Sequence, residues 1–404
     1  MIILQILIFA CAFYLFFPII TAIWATVLAK TIKPVNSKNL DRVCFACVIT
    51  AYKDLSMTWP LVRALLKQNY PDFEIYLVAD SCMGQPIEVK NNKLHLLQPS
   101  SPLNSKVASL HYALEEMDPG VTHVAVFDPD NLVPHHFLNE IAAWHQKGFN
   151  LVQGKRIAKN VDSTFAALDA LGEYYYDYSV RATPFLLGSS STIAGSGMSI
   201  EKKLYKENLR KEMEELNAKG VVVSEDKSLQ LQMVQKGERI AYASKAVVFD
   251  EKVIQAHQIG KQRGRWLNSY FRHSKDALGA FFKGLLSLDW NLTFFAIVVL
   301  MPPMVVLVGM SLALLIVTLV VAPIYGLLLF AALCLFAAGF LLILLLNRTP
   351  KSVLLVIPKI PLFVFGQLSG FMNIRKANKD FMPTEHTQKM EIEEVWEKRK
   401  GEFE

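Results

Sequence analysis

The sequence predicts an α/β domain, built on a mostly parallel sheet with helices on both faces and joined to membrane-spanning helices. Two observations lead to this fold class. Between residues 40 and 275, short apolar runs typical of buried strands alternate with helix-like stretches, as in parallel sheets covered by crossover helices. Two long uncharged stretches, at residues 2–28 and 291–347, flank that region, and about 20 apolar residues are enough for one helix to cross a bilayer.

The predicted elements of the middle region alternate along the chain. Strands are predicted at residues 43–49, 73–79, 94–97, 122–127 and 150–155. Helices are predicted at residues 58–68, 104–117, 134–147 and 227–236. Ligands of such sheets bind at the carboxyl ends of the strands, so the polar residues that directly follow each strand are candidates for chemistry.

The two uncharged stretches predict membrane anchors on both sides of this domain. Residues 1–29 form one span. Its first five positions carry no basic residue and it is longer than the apolar core of a signal peptide, so a permanent anchor is predicted. Residues 291–347 are long enough for a hairpin of two spans, with a turn at Pro323 and Gly326, because these residues favour turns.

Basic residues set the predicted orientation of these spans. Lys30, Lys33, Lys38 and Arg42 follow the first span, and such residues stay on the cytoplasmic side of a membrane. The chain is therefore predicted to be an integral protein of the plasma membrane or its equivalent, with its N-terminus outside.

The same reasoning divides the rest of the chain. Residues 40–275 are predicted to form a cytoplasmic domain. Residues 276–290 and 350–376 are predicted to be interfacial, the second as an amphipathic segment. Residues 377–404 are predicted to form a charged cytoplasmic tail.

The net charge of +6 and the five cysteines exclude some functions. A basic collar next to anionic lipid accounts for much of the charge, so no nucleic-acid partner is predicted. Cys44 and Cys47 are spaced like half of a zinc site, but they lie inside an apolar run. That position favours buried core thiols.

Acidic residues follow three of the predicted strands. Asp128 and Asp130, in Asp128-Pro129-Asp130, end one strand, and two carboxylates on such a turn can hold a hard divalent cation together with substrate phosphates. A solvated turn is the alternative interpretation. Asp54 and Asp80 follow two other strands. A carboxylate at the second position can hydrogen-bond a base or ribose, although a plain turn former is equally compatible.

Ser224-Glu225-Asp226 precedes the helical run at residues 227–236. One interpretation is a helix N-cap followed by acidic residues in the first turn. The other is a general base that accepts a proton from an attacking hydroxyl.

Gln262, Arg265 and Trp266 form the most specific motif, Gln-x-x-Arg-Trp. It is expected by chance on the order of one time in a hundred in a chain of this composition. The planar fork of arginine suits a diphosphate, and tryptophan offers a flat face to a sugar ring. A basic and aromatic membrane-interface belt is the alternative, which leaves the glutamine unexplained.

The small residues Gly195, Ser196 and Gly197 form a candidate loop for close backbone approach to a ligand. An ordinary turn would use the same residues. The loop lacks the Gly-Lys-Ser/Thr ending of a P-loop, and no Gly-x-Gly-x-x-Gly follows the first strand. A dinucleotide enzyme is therefore not predicted.

In their order and spacing, these motifs resemble those of the family 2 glycosyltransferases, the family of the cellulose, hyaluronan and chitin synthases. The resemblance covers residues 43–275 and implies the GT-A fold, a Rossmann-like mostly parallel sheet. It implies donor-binding roles for Asp54, Asp80, Lys106, Asp128, Asp130 and Arg265. It places Gly195, Ser196, Gly197, Glu225, Gln262 and Trp266 on the acceptor side. It makes Asp226 the catalytic base, and Asp128 and Asp130 the ligands of Mg²⁺ or Mn²⁺.

Three features depart from the family pattern. Ser81 and Cys82 stand where the family has a second acidic residue and glycine, and Ser224 replaces threonine. The membrane part is also small for a synthase that secretes through its own channel.

The resemblance predicts a membrane-bound, inverting glycosyltransferase that transfers a hexosyl or N-acetylhexosaminyl group. The donor is a nucleotide sugar, with UDP as the commonest carrier in the family, and the acceptor is a hydroxyl of a polysaccharide or a lipid-linked glycan. Processive synthesis, with an oligomer or export partner, and single transfer to a lipid-linked acceptor both stay open. A nucleotide-binding membrane transport or scaffold protein is the alternative from another class. The uncharged residues 291–347 argue against it, since transporters place charges within their spans.

Overall fold

The computed structural model describes residues 2–28, 42–220, 224–254, 256–364 and 388–399. The basic residues Lys30, Lys33 and Lys38 lie outside these ranges. Two further parts of the predictions also lie outside these ranges. They are residues 365–376 of the predicted interfacial segment 350–376, and residues 377–387 and 400–404 of the predicted tail 377–404.

A seven-stranded sheet forms the centre of the large domain. Its strands are β1 (Phe45–Tyr52), β2 (Phe73–Asp80), β3 (Leu94–Leu97), β4 (His123–Phe127), β5 (Leu151–Ala158), β6 (Met198–Glu201) and β7 (Ile240–Asp250). They lie in the order β3-β2-β1-β4-β6-β5-β7. Every neighbouring pair is parallel except the two that involve β6, so the prediction of a mostly parallel sheet is confirmed.

The helices of the large domain cover both faces of this sheet. They are α2 (Trp59–Leu66), α3 (Lys106–Glu116), α4 (Phe137–His145), α5 (Thr164–Tyr176), α6 (Thr183–Leu186), α7 (Lys202–Lys219), α8 (Glu225–Gln235), α9 (Ala256–Leu286) and α10 (Trp290–Leu300). A π-helical turn, Asp177–Ala182, joins α5 to α6.

Strand β1 shows why the sequence of a central strand is apolar throughout. Phe45, Cys47 and Ile49 point into the core on one face of the sheet, with α2 and α4. Ala46 and Val48 point into the core on the other face, with α3, α7, α8 and α10. Both faces are covered, so the strand is buried at every position except Thr50 and Tyr52, near its carboxyl end. The predicted burial of Cys47 is confirmed, whereas the neighbouring Cys44 is only half-buried.

Among the residues that the structure describes, three helices are long and apolar enough to cross a membrane. They are α1 (Ile2–Leu28), α11 (Met304–Val321) and α12 (Pro323–Leu346). The three pack against one another through a separate apolar cluster that includes Ile8, Leu15 and Leu329. Helices α1 and α12 approach closely at Gly339, where an added Cβ would lie 2.8 Å from the Cβ of Ile19.

The uncharged stretch 291–347 differs from the predicted hairpin at its beginning. Its first part forms α10, whose Phe295 and Ala296 are buried in the core of the large domain. The spanning pair starts only after Pro302 and Pro303, which end α10 because proline cannot continue a helix. The second break falls at Ala322, directly before the predicted turn residue Pro323.

The segments around the spans complete the architecture. The predicted interfacial segment 276–290 falls within α9 and the turn to α10, and α9 exposes Phe271, Leu278 and Phe282. After α12, the chain forms α13 (Lys351–Leu354) and a 3₁₀ turn (Ile357–Lys359). A last helix, α14 (Ile392–Arg399), packs on the large domain.

Candidate active site

The polar ends of the parallel strands meet at one edge of the sheet. Tyr52, the last residue of β1, pairs with Asp80, the last residue of β2, and Asp128 directly follows β4. Strand β6 runs in the opposite direction and pairs Met198 with Val126. The loop that precedes β6 therefore lies at this same edge.

A cavity of about 1490 Å³ opens at this edge of the sheet. It brings together all the predicted site residues except Ser196 and Gly197. The predicted residues that line it are Asp54, Asp80, Lys106, Asp128, Asp130, Gly195, Glu225, Asp226, Gln262, Arg265 and Trp266. Motifs separated by more than a hundred positions in the sequence thus line one cavity.

Lys106 lies between the two acidic motifs. It opens α3, whose N-cap Ser105 accepts a hydrogen bond from the amide of Ala108. Its Nζ donates to Asp128 Oδ1 at 2.7 Å and to the carbonyl oxygen of Gly195 at 3.1 Å, and it lies 3.6 Å from Glu225 Oε1. Burial disfavours the charged ammonium, but the two carboxylates outweigh this effect and raise the pKa of Lys106. A positive charge is therefore held where a diphosphate could bind.

The residue that follows β7, Glu251, fixes the position of Asp130. The carboxylate of Asp130 is almost fully buried, and its Oδ2 accepts a hydrogen bond of 2.9 Å from the amide of Glu251. The amide of Asp128 donates to Asn131 Oδ1 at 3.0 Å, which fixes the turn. A solvated turn, the alternative interpretation, therefore does not describe the buried Asp130.

The turn fits a metal that binds together with its substrate. Within the described ranges, no group of three or more His, Cys, Asp or Glu side chains is arranged around a metal position. Mg²⁺ is usually held by one or two carboxylates and completes its shell with water and substrate phosphates. Asp128 and Asp130, which both line the cavity, can supply those two carboxylates.

Asp80 has a structural task in addition to its predicted one. Its Oδ1 accepts from the amide of Leu103 at 3.0 Å and its Oδ2 from the amide of Asn104 at 2.7 Å. These bonds fix the loop that leads to Lys106. Contact of Asp80 with a nucleoside stays a prediction, as does that of Asp54, whose Oδ1 accepts from the amide of Ser56 at 2.8 Å.

Glu225 and Asp226 form the first turn of α8 and face the loop before β6. Ser224 has a left-handed backbone and makes no side-chain cap hydrogen bond, so the N-cap interpretation is wrong for its side chain. Gly195 has φ +76°, and a Cβ added there would lie 3.5 Å from the Cβ of Asp226. Burial raises the pKa of Glu225 although Lys106 opposes the shift. Asp226 thus lies where the loop, the cavity and α8 meet.

The Gln-x-x-Arg-Trp motif lies on α9 and lines the cavity from the opposite side. Between its residues, Arg263 pairs with Asp169 and places its guanidinium 4.1 Å from the ring centroid of Trp266. The guanidinium of Arg263 therefore packs against one face of the Trp266 ring. Burial lowers the pKa of Arg265, which reflects a guanidinium withdrawn from water.

Ser196 and Gly197 do not reach the cavity, so their position does not support the predicted acceptor contact. The Ser196 carbonyl accepts from Gln153 Nε2 at 3.1 Å, and the Gly197 amide donates to the carbonyl of Val126 at 2.8 Å. An added Cβ at Gly197 would lie 2.3 Å from Val248 Cγ1. Glycine is therefore needed here for packing against β7.

A buried ion network lines the cavity beside these motifs, and sequence reasoning missed it. Glu173 of α5 accepts from Arg156 at 3.1 Å and from Arg181 at 2.7 Å, and Lys252 reaches both Glu173 and Asp250. The three cations outweigh burial and hold the pKa of Glu173 well below its usual range. Arg156 and Asp250 lie near the carboxyl ends of β5 and β7, where ligands of such sheets bind. No sequence motif marks Glu173 and Arg181.

Lys227 is a further cation that sequence reasoning missed. It follows Asp226, lines the cavity and has no carboxylate within ion-pair distance among the residues that the structure describes. Burial, with repulsion from Arg181 and Arg156 added, lowers its pKa. An ammonium in this position would attract a negatively charged group of a bound molecule.

The cavity continues beyond the polar motifs between the apolar helices. This membrane-side half is lined mainly by residues of α11, α12 and the segment that follows α13. They are Met304, Val305, Val308, Gly309, Leu312, Leu333, Phe336, Ala337, Phe340, Leu341, Ile357, Ile360, Phe363 and Val364. One space therefore connects the carboxylates of the sheet edge with side chains of two candidate membrane spans.

Comparison with known proteins identifies the class. A family model described as "Glycosyltransferase like family 2" matches residues 42–269. The chain belongs to this family, and it is a glycosyltransferase. A search of curated protein sequences found no match.

The fold is that of solved GT-A glycosyltransferases. The mannosyltransferase PcManGT from Pyrobaculum calidifontis, solved in complex with GDP-Man and Mn²⁺, superposes with a TM-score of 0.54 at 15% identity, over 92% of this chain and 99% of the other. S. aureus TarS 1-349 in complex with UDP-GlcNAc has 15% identity over 83% of this chain and 91% of the other, with a TM-score of 0.38. The second similarity is too low to add to the argument.

Proposed function

We propose that this glycosyltransferase is membrane-bound and inverting, and that it transfers a sugar from a nucleotide donor to a hydroxyl of an acceptor that enters from the membrane side. One observation carries the proposal: Asp128, Asp130 and Asp226 line the same cavity that continues between α11 and α12. In such a space, a membrane-borne acceptor can reach the donor.

The polar half of the cavity suits a nucleoside diphosphate sugar. Asp128 and Asp130 would hold a Mg²⁺ or Mn²⁺ ion, which as a Lewis acid would neutralise charge on the leaving diphosphate. Lys106 and Arg265 would bind the same phosphates as cations. The complex of the mannosyltransferase neighbour with GDP-Man and Mn²⁺ supports this choice of donor and metal, and the family resemblance favours UDP as the carrier.

Asp226 is the proposed general base. Its carboxylate would accept the proton of the acceptor hydroxyl while that oxygen attacks the anomeric carbon from the side opposite the diphosphate. The bond between the anomeric carbon and the diphosphate oxygen breaks, and the configuration inverts. Gly195 lies beside this carboxylate with φ +76°, a backbone conformation that favours glycine.

The apolar half of the cavity supports an acceptor that stays associated with the membrane. A polysaccharide chain that grows by repeated transfer and a lipid-linked glycan that receives a single sugar both fit this description. The length of the product distinguishes them, because repeated transfer yields a distribution of long chains and single transfer adds one residue.

A donor screen tests the proposed function. The enzyme in native-lipid nanodiscs is incubated with a panel of nucleotide sugars, and the release of free nucleotide is measured with and without EDTA. We expect one donor to be turned over and EDTA to stop the reaction. Turnover that EDTA leaves unchanged would overturn the metal assignment, and failure of every donor would overturn the proposed reaction.

A further inference from the structure

The last described segment of the chain returns to the large domain. Residues 388–399, here called the C-terminal strap, belong to a region whose sequence predicts a charged tail. Glu391 of the strap accepts from Arg63 of α2 at 2.6 Å, and Glu393 accepts from Lys67 at 2.5 Å. The charges predicted to be solvated are therefore paired with cations of the domain.

Apolar side chains of the strap are buried at the same place. Ile392 and Val395 belong to a cluster that also contains residues of the sheet edge and of α12. The ring of Trp396 meets the ring of Phe249 edge to face at 6.4 Å, and Arg399 donates to the Tyr174 hydroxyl at 3.0 Å. The strap is thus a packed part of the domain.

The first residue of the strap closes a ring of contacts beneath Asp130. The Nζ of Lys159 donates to the carbonyl of Gln388 at 2.9 Å and to the carbonyl of Asp130 at 3.1 Å, and it lies 3.4 Å from Glu251 Oε2. The amide of Gln388 donates to the Glu251 carboxylate at 3.3 Å, and the amide of Glu251 donates to Asp130 Oδ2.

Burial makes this ring sensitive to the loss of any member. Lys159 and Glu251 are both almost fully buried, and a buried charge needs its hydrogen-bond partners to offset its lost hydration. Without Gln388, the ammonium of Lys159 would lose one acceptor and the carboxylate of Glu251 one donor. Lys159 also donates to the main-chain carbonyl of Asp130, and the main-chain amide of Glu251 donates to the Asp130 carboxylate. The position of that carboxylate would therefore be less well fixed.

We propose that the C-terminal strap is a positioning element of the donor-metal site, acting on Asp130 through Lys159 and Glu251. The proposal rests on the proposed function, in which Asp130 is a metal ligand. Groups that orient a metal ligand from outside the coordination shell typically change metal affinity by 10–100-fold when they are lost. The strap would therefore set the metal affinity of the site although it lies 229 positions from Lys159 in the sequence.

A charge-reversal series tests this proposal. The variant Glu391→Arg with Glu393→Lys faces Arg63 and Lys67 with like charges and should release the strap. Adding Arg63→Glu and Lys67→Glu restores opposite charges and should dock it again. Glu394→Lys, at an exposed position of α14, is the matched control. Amide hydrogen exchange over residues 388–399 reports whether the strap is docked.

The readout is equilibrium binding of Mn²⁺ in the presence of UDP or GDP, followed by the electron paramagnetic resonance signal of free Mn²⁺. We expect the half-saturating Mn²⁺ concentration to rise by about tenfold in the released variant, the lower end for loss of such groups. It should return close to the wild-type value in the restored variant and stay there in the control. The half-saturating Mn²⁺ concentration for turnover should follow the same order.

Two results would overturn the proposal. One is a released strap with unchanged Mn²⁺ binding, which would make the strap a purely structural clamp. The other is increased Mn²⁺ affinity on release. If charge reversal leaves the strap protected, Val395→Asp releases it by placing a charge in the apolar cluster, and the same criterion applies. Absence of Mn²⁺ binding in the wild type would instead overturn the proposed function, and the strap proposal with it.

Discussion

The two halves of the cavity are built in different ways. The donor half, at the edge of the sheet, consists of charged side chains that strand ends and helix starts place, and hydrogen bonds fix several of them. The membrane-side half consists of apolar side chains from α11, α12 and residues 357–364. Under the proposed function, the donor would be bound by hydrogen-bonded charged side chains, whereas the acceptor would be bound by the shape of an apolar space between helices.

The largest effect is expected at the junction of the two halves. Asp226→Asn removes the proposed base while keeping the shape of the side chain, so transfer should fall by about 10²–10⁴-fold. Donor affinity should change little, because the phosphate-binding residues are untouched. Turnover measured at saturating donor, with donor affinity from calorimetry, checks both statements. Asp162→Asn, on an exposed turn, is the control, and lost donor binding with retained turnover would refute the base assignment.

The next effect belongs to the donor half alone. Lys106→Met removes the ammonium that pairs with Asp128 and Glu225, leaving two carboxylates to repel the diphosphate. Losing a charged hydrogen bond costs about 1.5–3 kcal/mol, so the Kd of the donor should rise roughly tenfold to a hundredfold. Binding of the nucleotide sugar measures the effect. Lys245→Met, at an exposed position of β7, should leave the Kd unchanged, and a normal Kd in Lys106→Met would remove this residue from the donor site.

A third change concerns the membrane-side half. Ala337→Trp adds a large side chain inside the apolar part of the cavity, and we expect the KM for the acceptor to rise by about tenfold, or about 1.4 kcal/mol of lost binding. The Kd of the donor should not change. Leu345→Trp, on an exposed face of the same helix α12, is the control. Equal effects of both tryptophans would indicate a general disturbance of the helix.

The last predicted effect is on stability and not on activity. The apolar helices offer few groups that titrate near neutral pH, whereas the large domain buries His123 at the start of β4, the end away from the donor half, and burial lowers its pKa to about 4. The unfolded chain binds this proton near pH 6.5. Stability is therefore complete above pH 6.5 and is lost as the pH falls toward 4, by about 3 kcal/mol at most.

Thermal unfolding between pH 7 and pH 5 checks this expectation. The melting temperature should fall on acidification, and His123→Phe should reduce the dependence on pH because the variant lacks the titrating group. A variant with the same pH dependence as the wild type would assign the effect to other groups, such as His145, which burial also keeps neutral.

The sequence predicted the donor half well and the membrane-side half poorly. Strands β1 to β5 lie close to their predicted positions, because apolar strands bounded by helices leave a local pattern. Asp128 and Lys106 also lie in the cavity, because short motifs at strand ends and helix starts bring them there. The lining of α11 and α12 follows from packing between distant helices, which no local pattern records.

Two further differences have the same origin. The apolar residues of α10 read as part of a membrane span, yet Phe295 is buried against the large domain. From its sequence, the strap is predicted to be a charged tail. The cations of α2 and of its C-terminal end that pair with its carboxylates cannot be recognised from that segment alone. In both segments, contacts with distant parts of the chain determine where the segment lies. The composition of the segment alone does not identify those contacts.

The central claim is that the donor half and the membrane-side half form one active site. Its most direct test uses the enzyme in native-lipid nanodiscs with a donor labelled in the sugar, followed by separation of membrane-associated from water-soluble label. We predict that the label moves into the membrane-associated fraction in the wild type, slowly in Ala337→Trp and at the wild-type rate in Leu345→Trp. Rapid transfer to a water-soluble acceptor that Ala337→Trp leaves unaffected would contradict the claim.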